Sequence, residues 1–82
     1  MTESSLSRLA TVIAHHFQVD ASEIGEATTA YDVNGWDSLT HVYLMMRVEE
    51  EFGIVLPLEE VAELTDVGAL ARLVDRVAAD RP

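Results

Sequence analysis

The chain has 82 residues, enough for one small domain, and a domain this size leaves about 40% of its unfolded surface exposed, which argues against a deep enzyme cleft. Almost half of the residues are apolar (49%), too many for a disordered tail, and the absence of Cys excludes disulfides, thiolate zinc sites and a Cys nucleophile. Fifteen Asp and Glu face five Arg with no Lys, so the net charge of −10 opposes binding to nucleic acid or an anionic membrane and predicts basic surfaces on charged partners. The first element runs from about Ser5 to Phe17, where Leu6, Leu9, Ala10, Ile13 and Phe17 keep the spacing of one helical face and Ser4 or Ser5 caps the start. From Gln18 to Asp37 that period is lost for twenty residues, yet the stretch carries the marks of an ordered loop. Asp20 and Glu23 have capping-box spacing for a single turn, Val19 and Ile24 sit where a hydrophobic staple would be, and Tyr31, Val33 and Trp36 offer further apolar anchors.

A second helix is predicted from Ser38 to about Phe52, ended by Gly53 in a left-handed cap. Ile54-Val55-Leu56 is too short to assign as a strand, and Pro57 breaks the pattern. A short helix follows from about Leu58 to Leu64. Thr65 or Asp66 then caps a last helix, with Val67, Leu70, Val74 and Val77 on one stripe. These elements predict an all-α four-helix bundle with a long first loop and a short third helix, a single domain over residues 1–82. No apolar run approaches the roughly 20 residues that cross a bilayer, and Met1-Thr2-Glu3-Ser4 does not read as a signal peptide, so a soluble cytoplasmic protein is expected.

The second helix has two apolar faces. By the helical period, His41, Leu44, Met45, Val48 and Phe52 cluster on one side, while Leu39, Val42, Tyr43 and Met46 share the other. A small bundle does not readily cover both. Either the second stripe packs beneath the long loop or the short helix, or it is an exposed apolar patch marking an interaction site. Glu49, Glu50 and Glu51 fill the last turn, where the macrodipole prefers cations, and Arg47 offsets part of this through its neighbours at i+3 and i+4. Between Asp37 and Asp66 there are eight acids and one Arg, which concentrates the charge beside the stripe.

Ser38 stands where loop becomes helix. As an N-cap alone it needs no function and stabilises by about 1 kcal/mol. The surrounding residues, however, carry a resemblance. Gly35-Trp36-Asp37-Ser38-Leu39, then Val42, Met46, Glu49-Glu50-Glu51-Phe52-Gly53-Ile54, Pro57, and Thr65, Val67 and Leu70 resemble an acyl carrier protein over about Leu6 to Val77. The resemblance implies that Ser38 carries 4′-phosphopantetheine, esterified from coenzyme A by an Mg²⁺-dependent phosphopantetheinyl transferase, with an acyl group held as a thioester on its thiol. It implies that Asp37 and Leu39 belong to the attachment motif, Asp37 serving transferase contacts and Mg²⁺ placement. The helix N-terminus would favour the phosphodiester charge. Val42, Met46, Leu58 and Val61 would form the partner face with Leu39, while Glu49, Glu50, Glu59, Glu60 and Glu63 would meet Arg and Lys on ketosynthases, acyltransferases or tailoring enzymes. A non-catalytic, monomeric carrier follows.

Some residues depart from the fatty-acid type: Tyr43 stands where many such carriers have an acid, Thr40 and His41 replace more usual residues, and Asn34 is extra before Gly35. These shift the expectation toward polyketide or related specialised metabolism. An aminoacyl or peptidyl carrier of nonribosomal synthesis is the near alternative, and an unmodified acidic helical interaction module the distant one. A Ser hydrolase is disfavoured because the G-x-S-x-G elbow is absent and His41 falls on the core side of its helix. No metal site is expected. Asp32, Asn34 and Asp37 lack the calcium-loop pattern, and the adjacent His15 and His16 diverge by about 100° on a helix.

Overall fold

Ser4 starts the first helix by accepting a hydrogen bond from the Ser7 amide at 3.1 Å. In the computed structural model, which describes residues 4–80, that helix is α1, Ser5–Phe17. Residues 1–3, part of the stretch read as lacking a signal peptide, and residues 81–82 lie outside the described residues. Then come α2 (Ser38–Phe52), α3 (Leu58–Ala62) and α4 (Val67–Ala79), with 3-10 turns at Ala21–Glu23 and Ala30–Asp32 and no strand among the described residues. The all-α reading holds, and α3 ends two residues earlier than expected because the Glu63 amide turns back onto the Glu60 carbonyl. No described helix is long and apolar enough to cross a membrane.

Three long helices build the core. α1 packs on α4 and α2 through Leu9 and Ile13, meeting Leu70 and Val74 from α4 and Leu44 and Val48 from α2 in one buried cluster. Asp66 rather than Thr65 caps α4, accepting from the Ala69 amide at 2.8 Å. Gly53 closes α2 at φ 66°, the left-handed region that a Cβ makes costly, and the Ile54 amide then reaches back to the Glu49 carbonyl. Ile54 and Leu56 turn into the core while Val55 between them faces solvent, so the tripeptide alternates without pairing as a strand.

The long loop is tied down as its caps predict. Asp20 and Glu23 satisfy each other's backbone reciprocally, and Ile24 and Val33 are buried. Tyr31 is a correction: it is 100% exposed, because the turn at Ala30–Asp32 is fixed by Asp32 bonding back to Thr29 and throws the ring outward. The loop is also pinned to the start of α4, where the amides of Val67 and Gly68 donate to the Thr28 and Glu26 carbonyls at 2.9 and 2.8 Å. These are first-turn donors without helical partners, so the loop supplies acceptors that the helix lacks.

Such close approach requires glycine at position 68, since a Cβ there would lie 2.5 Å from Glu26 Cγ and 3.0 Å from its carbonyl oxygen. Gly68→Ala gains about 1 kcal/mol of helix propensity but overpacks a buried contact, which costs about 1–3 kcal/mol. Net destabilisation is expected in urea unfolding. A more stable variant would show that the loop does not hold this position.

Candidate functional site

Asp37, not Ser38, is the N-cap of α2. Asp37 Oδ1 accepts from the amides of Leu39 and Thr40 at 3.1 and 2.9 Å, and Thr40 Oγ1 in turn accepts from the Asp37 amide at 2.8 Å. Ser38 is thereby displaced one position, to the first residue of the helix, where it is exposed and its hydroxyl makes no hydrogen bond among the described residues. The same geometry corrects the expected anion site. The Leu39 and Thr40 amides are already occupied by a carboxylate, so an anion on Ser38 would meet the helix dipole rather than those donors. The Thr40 amide and then its hydroxyl hold the Asp37 carboxyl below the usual carboxylate range. A depressed folded value stabilises above the unfolded pKa of about 3.9 and is lost as pH falls through the folded value, so this cap is present at neutral pH.

Beside Ser38 lies an open groove of about 540 Å³, walled by Tyr31, Trp36, Asp37 and His41 on one side and by Val61, Ala62 and Leu64 on the other. Its inner wall is aromatic. Trp36 stacks on Phe17 with centroids 5.3 Å apart and on His41 at 6.0 Å, and the Trp36 indole N–H donates to His41 Nδ1 at 3.0 Å. His41 is therefore half-buried on the groove, not in the core as its register suggests. An exposed hydroxyl lining an open groove is accessible to covalent modification.

A family model described as "Phosphopantetheine attachment site" matches residues 7–74. The solution structure of a holo acyl carrier protein from Geobacter metallireducens is similar over 92% of this chain and 86% of that chain, at 35% identity and a TM-score of 0.82. The chain belongs to the acyl carrier proteins. It is a non-catalytic carrier, and 4′-phosphopantetheine is the covalent group of its family. Phosphopantetheinyl transferases and acyl-handling enzymes are the general partners of such carriers.

The outer stripe of the carrier's second helix is uncovered: Leu39, at 63% exposure, Val42, Tyr43 and Met46 all face solvent, as does Leu58 on α3. The alternative of packing beneath the loop is thus closed. Val61 does not belong to that surface. It is 9% exposed and turned into the core, so its place in the expected partner face is corrected to a buried wall of the groove.

The acids divide as well. Glu50, Glu59 and Glu63 are exposed, whereas Glu49 is half-buried and its carboxylate accepts from the Leu56 amide at 2.7 Å, and Glu60 is paired with Arg76. Arg47 does not pair with Glu50 or Glu51. It donates to His15 Nδ1 at 2.9 Å, while Arg8 takes Glu51 at 3.7 Å and lies over the Phe52 ring at 4.3 Å. Replacing Glu49 with Ala should therefore lower stability by about 1–2 kcal/mol through the orphaned Leu56 amide, whereas Glu50→Lys should leave the fold intact and slow partner transfer at low salt. Urea unfolding and transfer rates across a salt series separate the two. Equal effects at both positions would refute the division.

Neither candidate metal cluster assembles. Asp32 accepts from the Thr29 amide of its loop and Asp37 from the amides that open α2, while His15 bonds Arg47 and His16 meets the edge of Phe17. Burial, then Arg47 and His15, push the His16 pKa down, which opposes any positive charge there.

Proposed function

We propose that Ser38 bears the 4′-phosphopantetheine arm and that this carrier shuttles acyl intermediates of polyketide or related specialised metabolism, as a cytoplasmic monomer. The observation that carries the reading is Ser38 itself: exposed, without a hydrogen bond among the described residues, released from capping by Asp37, and lining the groove within the matched region. When bound, the arm supplies a thiol on which acyl groups ride as thioesters. The chain's own part is to present and to be recognised. Asp37 fixes the first turn of α2, so the Ser38 hydroxyl is held at a rigid edge where a transferase can reach it. Its second carboxylate oxygen remains available to the Mg²⁺ that accompanies coenzyme A.

Leu39, Val42, Met46 and Leu58 form the apolar centre of the partner face, and Glu50, Glu59 and Glu63 lie around it for basic ketosynthases, acyltransferases or tailoring enzymes. Tyr43 within that patch, and His41 on the groove, favour specialised metabolism over fatty-acid synthesis, because each stands where fatty-acid carriers commonly differ. Intact mass after incubation with coenzyme A, Mg²⁺ and a broad-specificity transferase tests the attachment. One phosphopantetheine on the native chain and none on Ser38→Ala is the expected result. Addition to the variant, or none to either, would overturn it.

A further inference from the structure

α3 is the least secured helix of the carrier. It has five residues, no side chain caps its start, and Val61 is its only buried residue. Its opening bonds run from the Glu60 and Val61 amides back to the Pro57 carbonyl, at 3.1 and 3.0 Å. A helix this short does not persist in water by itself, so contacts with the rest of the fold must hold it. On one side an open cleft of about 350 Å³ separates it from α4. Glu60 from α3 and Arg76 from α4 both line that cleft, and they pair with each other. It is the only ion pair to α3 among the described residues. Arg72, one turn earlier on α4, is engaged elsewhere, with Glu26 of the long loop at 3.5 Å. With Glu59 and Glu63 flanking Glu60 in a chain of net charge −10, repulsion pushes α3 outward and Arg76 draws it back.

We propose that Arg76 is a positioning residue for partner recognition: through Glu60 it sets α3 in place, so that Leu58, Glu59 and Glu63 meet partner enzymes in a fixed arrangement. The proposal rests on the reading that these three residues belong to the partner face. Glu60 then works inward while its acidic neighbours work outward. An exposed ion pair is a minor share of global stability, because solvent screens it and two long side chains lose freedom. The same contribution is a large share of what holds so slight a helix, whose local opening needs far less energy than global unfolding.

The test reads hydrogen exchange of the α3 amides by NMR, and loading by a broad-specificity phosphopantetheinyl transferase with coenzyme A and Mg²⁺. Arg76→Gln should speed exchange at the Glu60 and Val61 amides about threefold, with the melting temperature lowered by no more than about 5 °C. It should raise the KM for the carrier about twofold and leave kcat unchanged, since Ser38 and Asp37 are untouched and only docking is loosened. Glu60→Gln should reproduce both effects. The charge swap, Glu60→Arg with Arg76→Glu, should bring exchange and KM back toward the native values.

Unmoved α3 exchange in Arg76→Gln, or a swap that restores neither readout, would overturn the positioning role. Faster exchange with an unmoved KM would overturn its link to docking. Leu58→Ala tests the reading beneath: failure of that variant to raise KM would refute the partner face on α3, whatever Arg76 does to exchange.

Discussion

Alanine at Ser38 should abolish loading outright yet shift the melting temperature by no more than about 2 °C, because an exposed first-turn hydroxyl that caps nothing contributes little to the fold. Alanine at Asp37 should do the reverse to the fold, lowering the melting temperature by about 5 °C through loss of the cap. Asp37→Asn separates the two roles of that side chain. Asn caps a helix about as well as Asp, so melting should return to near native, while loading should remain about tenfold slow for want of a carboxylate beside the transferred group. Circular dichroism melts and timed mass spectra read both axes. Loss of stability in Ser38→Ala comparable to Asp37→Ala would show that Ser38 is the cap after all, and full-rate loading of Asp37→Asn would remove the carboxylate from the reaction.

The second large contrast lies within one helix and one residue type. Leu44 is fully buried where α2 meets the shared core, and Leu44→Ala should cost about 3–5 kcal/mol by removing its packing and leaving a cavity. For a chain of this length that is a large share of a total stability of about 4–12 kcal/mol. Leu39→Ala, on the solvent side, should cost under about 0.5 kcal/mol but slow acyl exchange with partner enzymes, since an apolar anchor would be lost from the proposed docking patch. Urea unfolding and transfer kinetics on both variants give the comparison. A destabilising Leu39→Ala would mean that the outer stripe is packed, and unchanged transfer would mean that it is not a docking face.

The long helices were legible because their signals are local. The apolar periods of α1 and α4, Ser4 before one, Gly53 after α2 and the Asp20–Glu23 pair all act within a turn or two of themselves, and each stands where its spacing places it. The family motif around Ser38 was legible for the same reason.

What sequence reading misassigned depends on contacts between elements or on a choice between equal candidates. Asp37 and Ser38 are both good caps, and the choice is made by Thr40, whose hydroxyl closes a box that the usual Glu or Gln signature does not describe. Glu49 looked like a free surface acid because its partner, the Leu56 amide, lies beyond the end of the helix. Five residues of α3 are too few to show a period, so nothing in the sequence told Val61 from Leu58. The Trp36–His41 bond carried only the weak signal of two ring residues flanking the attachment motif.

Trp36 is the chain's single tryptophan, and it stands between Phe17 and His41 on the wall of the groove. Selectively excited emission from this protein therefore originates at one place, two residues from Ser38. The indole's hydrogen bond and its place on the groove wall make its spectrum answer to whatever occupies the groove. The single indole is thus an intrinsic optical probe of the groove, readable in real time and without a label.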